Sequence, residues 1–171
     1  TVSLDDLSGK KALLVMFVCN HCPYVKHVAD QLKSLADDYM AKDVAVVAIS
    51  SNDADAYPDD SPEAMAKEKA DRGYAFPYLF DADQSVAQQY AAACTPDFYL
   101  FDAELQLAYR GQLDSSRPNS GIPVTGEDLR ASIDAVLQGG SPDPNQRASL
   151  GCNIKWKQGN EPEYFNPAGV S

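Results

Sequence analysis

Two apolar runs, separated by one amphipathic stretch, decide most of what this chain can fold into. Lys11–Val18 (KALLVMFV) and Val44–Ile49 (VAVVAI) are continuous and β-prone, the pattern of strands covered on both faces. Between them, Tyr24–Met40 places Val25, Val28, Leu32, Leu35 and Tyr39 at helical spacing. Lys26, Asp30, Lys33 and Asp37 fall around the other side. Pro23 suits the first turn of this helix, where its missing N–H is no loss. A strand, a helix and a strand this close together require a right-handed crossover onto a parallel sheet.

The alternation continues downstream. Ser50–Ser61 is polar and rich in Asp, so it reads as a loop, and Asp53–Asp60 reads as its solvated part because EF-hand spacing is lacking. Ser61-Pro62-Glu63 marks a helix start, and Gly73 ends that helix after Arg72. Phe76–Phe80 is a short strand and Ser85–Ala93 a further helix. Phe98–Phe101 and Leu105–Arg110 form a hairpin around Asp102-Ala103-Glu104. Glu127–Leu137 is helical and stops before Gly139-Gly140. The remaining Ser141–Ser171 is rich in Pro, Gly and Asn with little periodicity. The expectation is an α/β domain over 1–140, a central mixed sheet flanked by helices, with an irregular C-terminal tail over 141–171 that packs back on it.

Composition removes several function classes. The 171 residues include 25 acidic and 14 basic side chains, a net charge of −11, the wrong sign for a nucleic-acid partner or an anionic bilayer. The longest apolar stretch, Ala12–Cys19, is of strand length, so no membrane insertion is expected. No Gly-rich phosphate fingerprint occurs and no cofactor is implied. The chain opens on Thr1 rather than Met, which leaves export open; a cytoplasmic location is the favoured expectation.

Four cysteines are too few for a disulfide scaffold, and two of them form Cys19-Asn20-His21-Cys22. Cys22 stands where a buried strand ends and a helix begins. There, unpaired N–H groups and the positive end of the helix dipole stabilise a thiolate, so Cys22 is the expected nucleophile. Lys26 and His27 lie on the first turn after it and can add positive potential. Cys19, about one turn earlier, is either its resolving partner or core. A metal site is the alternative use of the same residues, with Cys19, His21 and Cys22 as soft ligands.

The stretch ALLVMFVCNHCP resembles the strand-to-helix junction of the thioredoxin-like superfamily, and Thr95-Pro96 in AACTPDFYLFD resembles its cis-proline segment. The resemblance implies that Pro96 is cis and that Thr95 presents backbone to substrate. VSLDDLSGKKALLVMF is similar to the start of the peroxiredoxin-like, or redoxin, branch. RGQLDSSRP and GCNIKWK are similar to a peroxiredoxin-like subgroup, so the likeness spans Val2 to about Lys157. Two positions depart from the pattern. The second thioredoxin cysteine falls on Val25, and Cys19 replaces the Thr or Ser that peroxiredoxins carry three residues before the reactive cysteine. By the same resemblance, Arg117 is a candidate to face the thiolate. Cys94 lies near the site, and Cys152 either resolves an oxidised Cys22 or, with Trp156, docks the tail.

The expected activity is thiol-based oxidation and reduction. Cys22 attacks a disulfide in a protein or a peroxide, Cys19 or Cys152 resolves the product, and a thiol reductant restores the site. Alternatives are Cu or Zn binding through Cys19, His21 and Cys22, or a redox-silent protein-binding domain that uses the proline groove.

Overall fold

The computed structural model describes residues 1–167. A short helix α1 (Leu4–Leu7) leads into strand β1 (Ala12–Phe17), helix α2 (Pro23–Met40) and strand β2 (Val44–Ser50). A single 3₁₀ turn (Pro58–Asp60) precedes helix α3 (Pro62–Arg72), strand β3 (Tyr78–Phe80) and helix α4 (Ser85–Gln89). Two-residue strand β4 (Cys94–Thr95), the hairpin β5 (Asp97–Phe101) and β6 (Leu107–Gly111), helix α5 (Glu127–Leu137) and two-residue strand β7 (Cys152–Asn153) complete it.

Five strands form one mixed sheet in the order β3-β2-β1-β5-β6. The β1–β2 and β2–β3 pairs are parallel, whereas β1–β5 and β5–β6 are antiparallel. This is the thioredoxin-like arrangement. Strand β1 is central and every residue in it is buried, as its unbroken apolar run requires. Its side chains alternate between two cores. Leu14 and Met16 join Leu32, Leu35, Leu129 and Ile133 of α2 and α5. Leu13, Val15 and Phe17 join Ala87 of α4 and, from the tail, Ile154, with Trp156 packed against them. The tail thus covers one face of the sheet.

Element ends follow local chemistry. The Ser61 hydroxyl accepts from Ala64 N–H at 3.2 Å and starts α3, and Gly73, at φ +69°, ends it in the left-handed region that glycine tolerates best. Where sequence reading and structure differ, single residues are responsible. Strand β3 begins at Tyr78, not Phe76, because Pro77 brings no N–H to the ladder. Helix α4 stops at Gln89, short of Ala93, because Ala91 takes φ +52°. The hairpin turn runs two residues longer than expected. The Asp102 carboxylate accepts from Glu104 N–H at 3.0 Å and Gln106 N–H at 2.9 Å, and Leu105 sits at φ +60°.

No helix among the described residues is long and apolar enough to cross a membrane. The tail is mostly irregular but firmly held. Asp53 N–H donates to Lys155 C=O at 2.8 Å, and Lys155 N–H donates to Asn52 Oδ1 at 2.9 Å. Buried Gln84 bridges two points of the tail, donating to Lys155 C=O at 2.9 Å and accepting from Lys157 N–H at 2.9 Å. Ile154 is fully enclosed, a burial worth roughly 1.5–3 kcal/mol.

Candidate active site

Cys22 is the N-cap of α2, with extended backbone followed by Pro23 at the first helical position. Its carbonyl accepts from Val25 and Lys26 N–H at 3.1 and 3.0 Å. Because Pro23 has no N–H, the first amides that the helix offers belong to Tyr24 and Val25. The Val25 N–H favours negative charge on the Cys22 sulfur, and the Tyr24 N–H favours it on the Cys152 sulfur. Two cysteines from opposite ends of the chain share one helix start.

The Thr95–Pro96 peptide is cis and faces this junction. As a thiol, Cys22 donates to the Thr95 carbonyl at 3.4 Å. Cys19 Sγ lies 3.5 Å from the Thr95 hydroxyl. Strand β4 pairs antiparallel with β7, and Thr95 stands opposite Cys152. Gly151 makes that approach possible: a Cβ there would lie 1.9 Å from the Thr95 carbonyl oxygen and 2.6 Å from its carbon. The tail cysteine is therefore seated at the site, and docking the tail is the same act that brings it there.

The electrostatics single out Cys22. Its thiol is drawn well below the usual range, chiefly because the Cys19 thiol donates to its thiolate. The Cys152 thiol and the N–H groups of Val25 and Cys152 add to this, against the cost of burial. Cys19 is pushed strongly upward by the same contact with Cys22, by burial and by the nearby Asp60 carboxylate. It stays a thiol and a donor. Cys152 is pushed up to about 11, first by burial and then by Cys22, with Lys155 and Tyr24 N–H acting the other way. Cys22 is completely buried and Cys19 nearly so, whereas Cys152 is partly exposed. No disulfide joins these sulfurs in the structure.

Other residues take places that the sequence did not suggest. Asp60 lies in the supposedly solvated Asp-rich loop but is fully buried. Its carboxylate accepts from Asn20 N–H at 2.7 Å, His21 N–H at 3.3 Å and Asn52 Nδ2 at 2.8 Å, and it also meets His21 Nδ1. The Tyr57 ring stacks on His21 with centroids 5.4 Å apart. This network holds the Cys19–Cys22 segment against the 3₁₀ turn, and one Asp among many gave no signal of it. Arg117 lines a small cleft with Tyr24, His27 and Pro96. Its guanidinium, however, is tied to the Asp114 and Ser116 carbonyls at 2.8 and 2.7 Å and to Gln112 Oε1 at 2.6 Å. It is bound into its own loop rather than to the thiolate. His27 turns to the Ser116 hydroxyl at 2.7 Å. Cys94 is buried toward the Pro96 and Ser149 carbonyls, at 3.9 and 3.8 Å. The metal-compatible grouping also changes composition: Cys19, His21 and Asp60 place ligand atoms within 4.8 Å of one another, with Asp60 in the position expected for Cys22.

Residues 1–126 match the model of the Redoxin family. The chain belongs to that family. Two solved structures are similar over nearly the whole chain. An uncharacterized conserved protein from Geobacillus kaustophilus is 58% identical over 91% of this chain and 82% of that one, with a TM-score of 0.89. A hypothetical protein from Sinorhizobium meliloti 1021 is 50% identical over 92% and 86%, with a TM-score of 0.91. A secreted Mycobacterium tuberculosis disulfide oxidoreductase shares the fold at 18% identity and a TM-score of 0.56, over 81% of this chain and 87% of that one. No curated protein matches the chain. Within the Redoxin fold, the junction between β1 and α2 and the proline segment before β5 are the elements that converge on Cys22.

Proposed function

We propose that this Redoxin-family protein is a thiol–disulfide oxidoreductase in which Cys22 is the attacking thiolate and Cys152 the resolving thiol. The observation that carries the reading is the convergence of three sulfurs at one helix start. All three meet at Thr95, Cys22 Sγ at its carbonyl at 3.4 Å, Cys19 Sγ at its hydroxyl at 3.5 Å and Cys152 opposite it across the β4–β7 pair. Of the three, only Cys22 has its thiol drawn downward. Oxidation of Cys22 leaves a sulfenic acid or mixed disulfide next to Cys152. Cys152 thiolate then attacks the Cys22 sulfur, releasing water or the substrate thiol, and a Cys22–Cys152 disulfide remains. Cys19 acts as the hydrogen-bond donor that stabilises the Cys22 thiolate. That a disulfide oxidoreductase shares this fold is consistent with this chemistry. Disulfide exchange is preferred over peroxide reduction because position 19 holds a thiol instead of a hydroxyl and Arg117 is bound to its own loop.

The test is a glutathione redox titration followed by peptide mass mapping. A Cys22–Cys152 link with Cys19 reduced supports the reading. Unchanged disulfide-exchange activity in a Cys22→Ser variant refutes it. A second reading, Zn(II) or Cu(I) held by Cys19, His21 and Asp60, is favoured by the closeness of their ligand atoms. Competition of the reduced protein against a chromophoric zinc chelator decides it. Tight one-to-one binding lost in His21→Ala supports the metal site, and no uptake removes it.

A further inference from the structure

Cys22 is completely buried while the tail is docked, so a foreign disulfide reaches it only when strand β7 has left. The place then vacated has a defined shape, because β7 shows how a cysteine is carried to Cys22. It runs antiparallel to β4, with Cys152 opposite Thr95 and Asn153 opposite Cys94. The Thr95 carbonyl acts twice at that point. It accepts from the Cys22 thiol at 3.4 Å, and it would stand 1.9 Å from a Cβ on residue 151. The Thr95 carbonyl carbon and the Pro96 nitrogen follow at 2.6 and 3.1 Å, so the whole obstruction is backbone. A strand that brings sulfur to Cys22 along this edge crosses that carbonyl with the residue before its cysteine. Only glycine passes without pushing the strands apart.

The tail can leave this edge with the core still filled. Upstream of Cys152, residues 143–148 are exposed and the segment is latched at the end of β6. Gln112 N–H donates to Arg147 C=O at 2.9 Å, and Ser149 Oγ donates to Gly111 C=O at 2.7 Å. Downstream, Ile154 is enclosed in the core beneath α4, and Asn52 and Gln84 hold Lys155 and Lys157. Release from the upstream side, with Ile154 as pivot, clears β4.

We propose, resting on the disulfide-exchange reading above, that β7 is a built-in copy of the substrate strand and that this site selects protein disulfides whose reacting cysteine is preceded by glycine. The substrate strand takes the place of Gly151-Cys152, and Cys22 thiolate attacks its cysteine. The Cys22–S bond forms, the substrate S–S bond breaks, and its electron pair leaves on the distal sulfur, which takes a proton from solvent. As the tail returns, Cys152 gives its proton to solvent and attacks Cys22 Sγ. The mixed disulfide breaks, and the first substrate sulfur leaves as a thiolate with its strand. One substrate disulfide is reduced and the Cys22–Cys152 disulfide is formed.

The experiment uses the full reduced chain carrying Cys152→Ser, which stops resolution and holds the peptide on Cys22. Two peptides are supplied as symmetrical disulfides: acetyl-ASLGCN-amide, which repeats residues 148–153, and acetyl-ASLACN-amide. Acid quench and mass mapping follow the Cys22 adduct, and each rate is divided by that of the same peptide with cysteamine. The glycine peptide should react faster by more than about ten-fold. A ratio within about two-fold overturns the proposal and leaves disulfide exchange at Cys22 intact. No Cys22 adduct from either peptide overturns both. Adding Ser149→Ala removes the latch on Gly111 and should speed the glycine peptide about three-fold with its preference kept. An unchanged rate overturns displacement of the tail strand.

Discussion

Replacing Gly151 by Ala tests whether tail docking and site geometry are one event. The added methyl would lie 1.9 Å from the Thr95 carbonyl oxygen, and the obstructing atoms are backbone that no rotamer change can move aside. Ordinary contact begins near 3.4 Å, so the two segments must separate by about 1.5 Å. That is enough to break hydrogen bonds of the β4–β7 pair, since an N–H···O contact of about 2.9 Å has little meaning beyond about 3.5 Å. Ile154 and the Gln84 and Asn52 contacts lie further along and hold the rest of the tail. The loss is therefore local, roughly 2–3 kcal/mol from overpacking and lost ladder bonds. For a domain of this size that corresponds to a Tm fall of roughly 4–12 °C. Differential iodoacetamide labelling with mass mapping should show Cys22 becoming accessible and the yield of Cys22–Cys152 disulfide dropping. A Tm within about 2 °C of wild type, with Cys22 still protected, would refute the argument that Gly151 is what lets Cys152 reach Thr95.

Three further outcomes are expected. Cys19→Ala removes the largest influence holding the Cys22 thiol down. The pH midpoint for Cys22 alkylation should therefore rise by more than about one unit, with partial rescue in Cys19→Ser, which keeps a donor. Asp60→Ala leaves Asn20 N–H, His21 N–H and the Asn52 amide facing an empty buried space. It should cost roughly 3 kcal/mol in urea denaturation. For the reduced protein, the folded-state Cys22 thiol lies below its unfolded value. Between those two values the unfolded chain binds more protons, so the thiolate stabilises the fold fully above about pH 8.5. That contribution fades as pH falls toward the folded midpoint. Cys22→Ser should flatten this part of the stability-versus-pH curve, and an unchanged slope would contradict the lowered thiol.

The two buried strands, the helix between them, the Ser61 cap and the Gly73 stop were legible in sequence because each depends on neighbours within a few residues. Cys22 at the helix start was legible for the same reason, since Pro23 and the helical period that follows mark the cap locally. What lies near that cap was not. Asp60 is one of several Asp residues in a polar run, and only the return of the 3₁₀ turn against Asn20 and His21 buries it. Arg117 could be read toward the thiolate by resemblance, but its own loop supplies three nearer acceptors. Cys152 stands 130 positions after Cys22 in the chain, in a segment without periodicity. Neither spacing nor propensity reports a pairing whose closest contact is made by a glycine's missing side chain. The sequence by itself determined the scaffold and the cysteine at the start of α2, because those follow from local hydrogen bonding and hydrophobic period. Which sulfurs and carboxylates surround it was decided only when the tail folded back over the sheet, because burial and long-range strand pairing are properties of the whole chain.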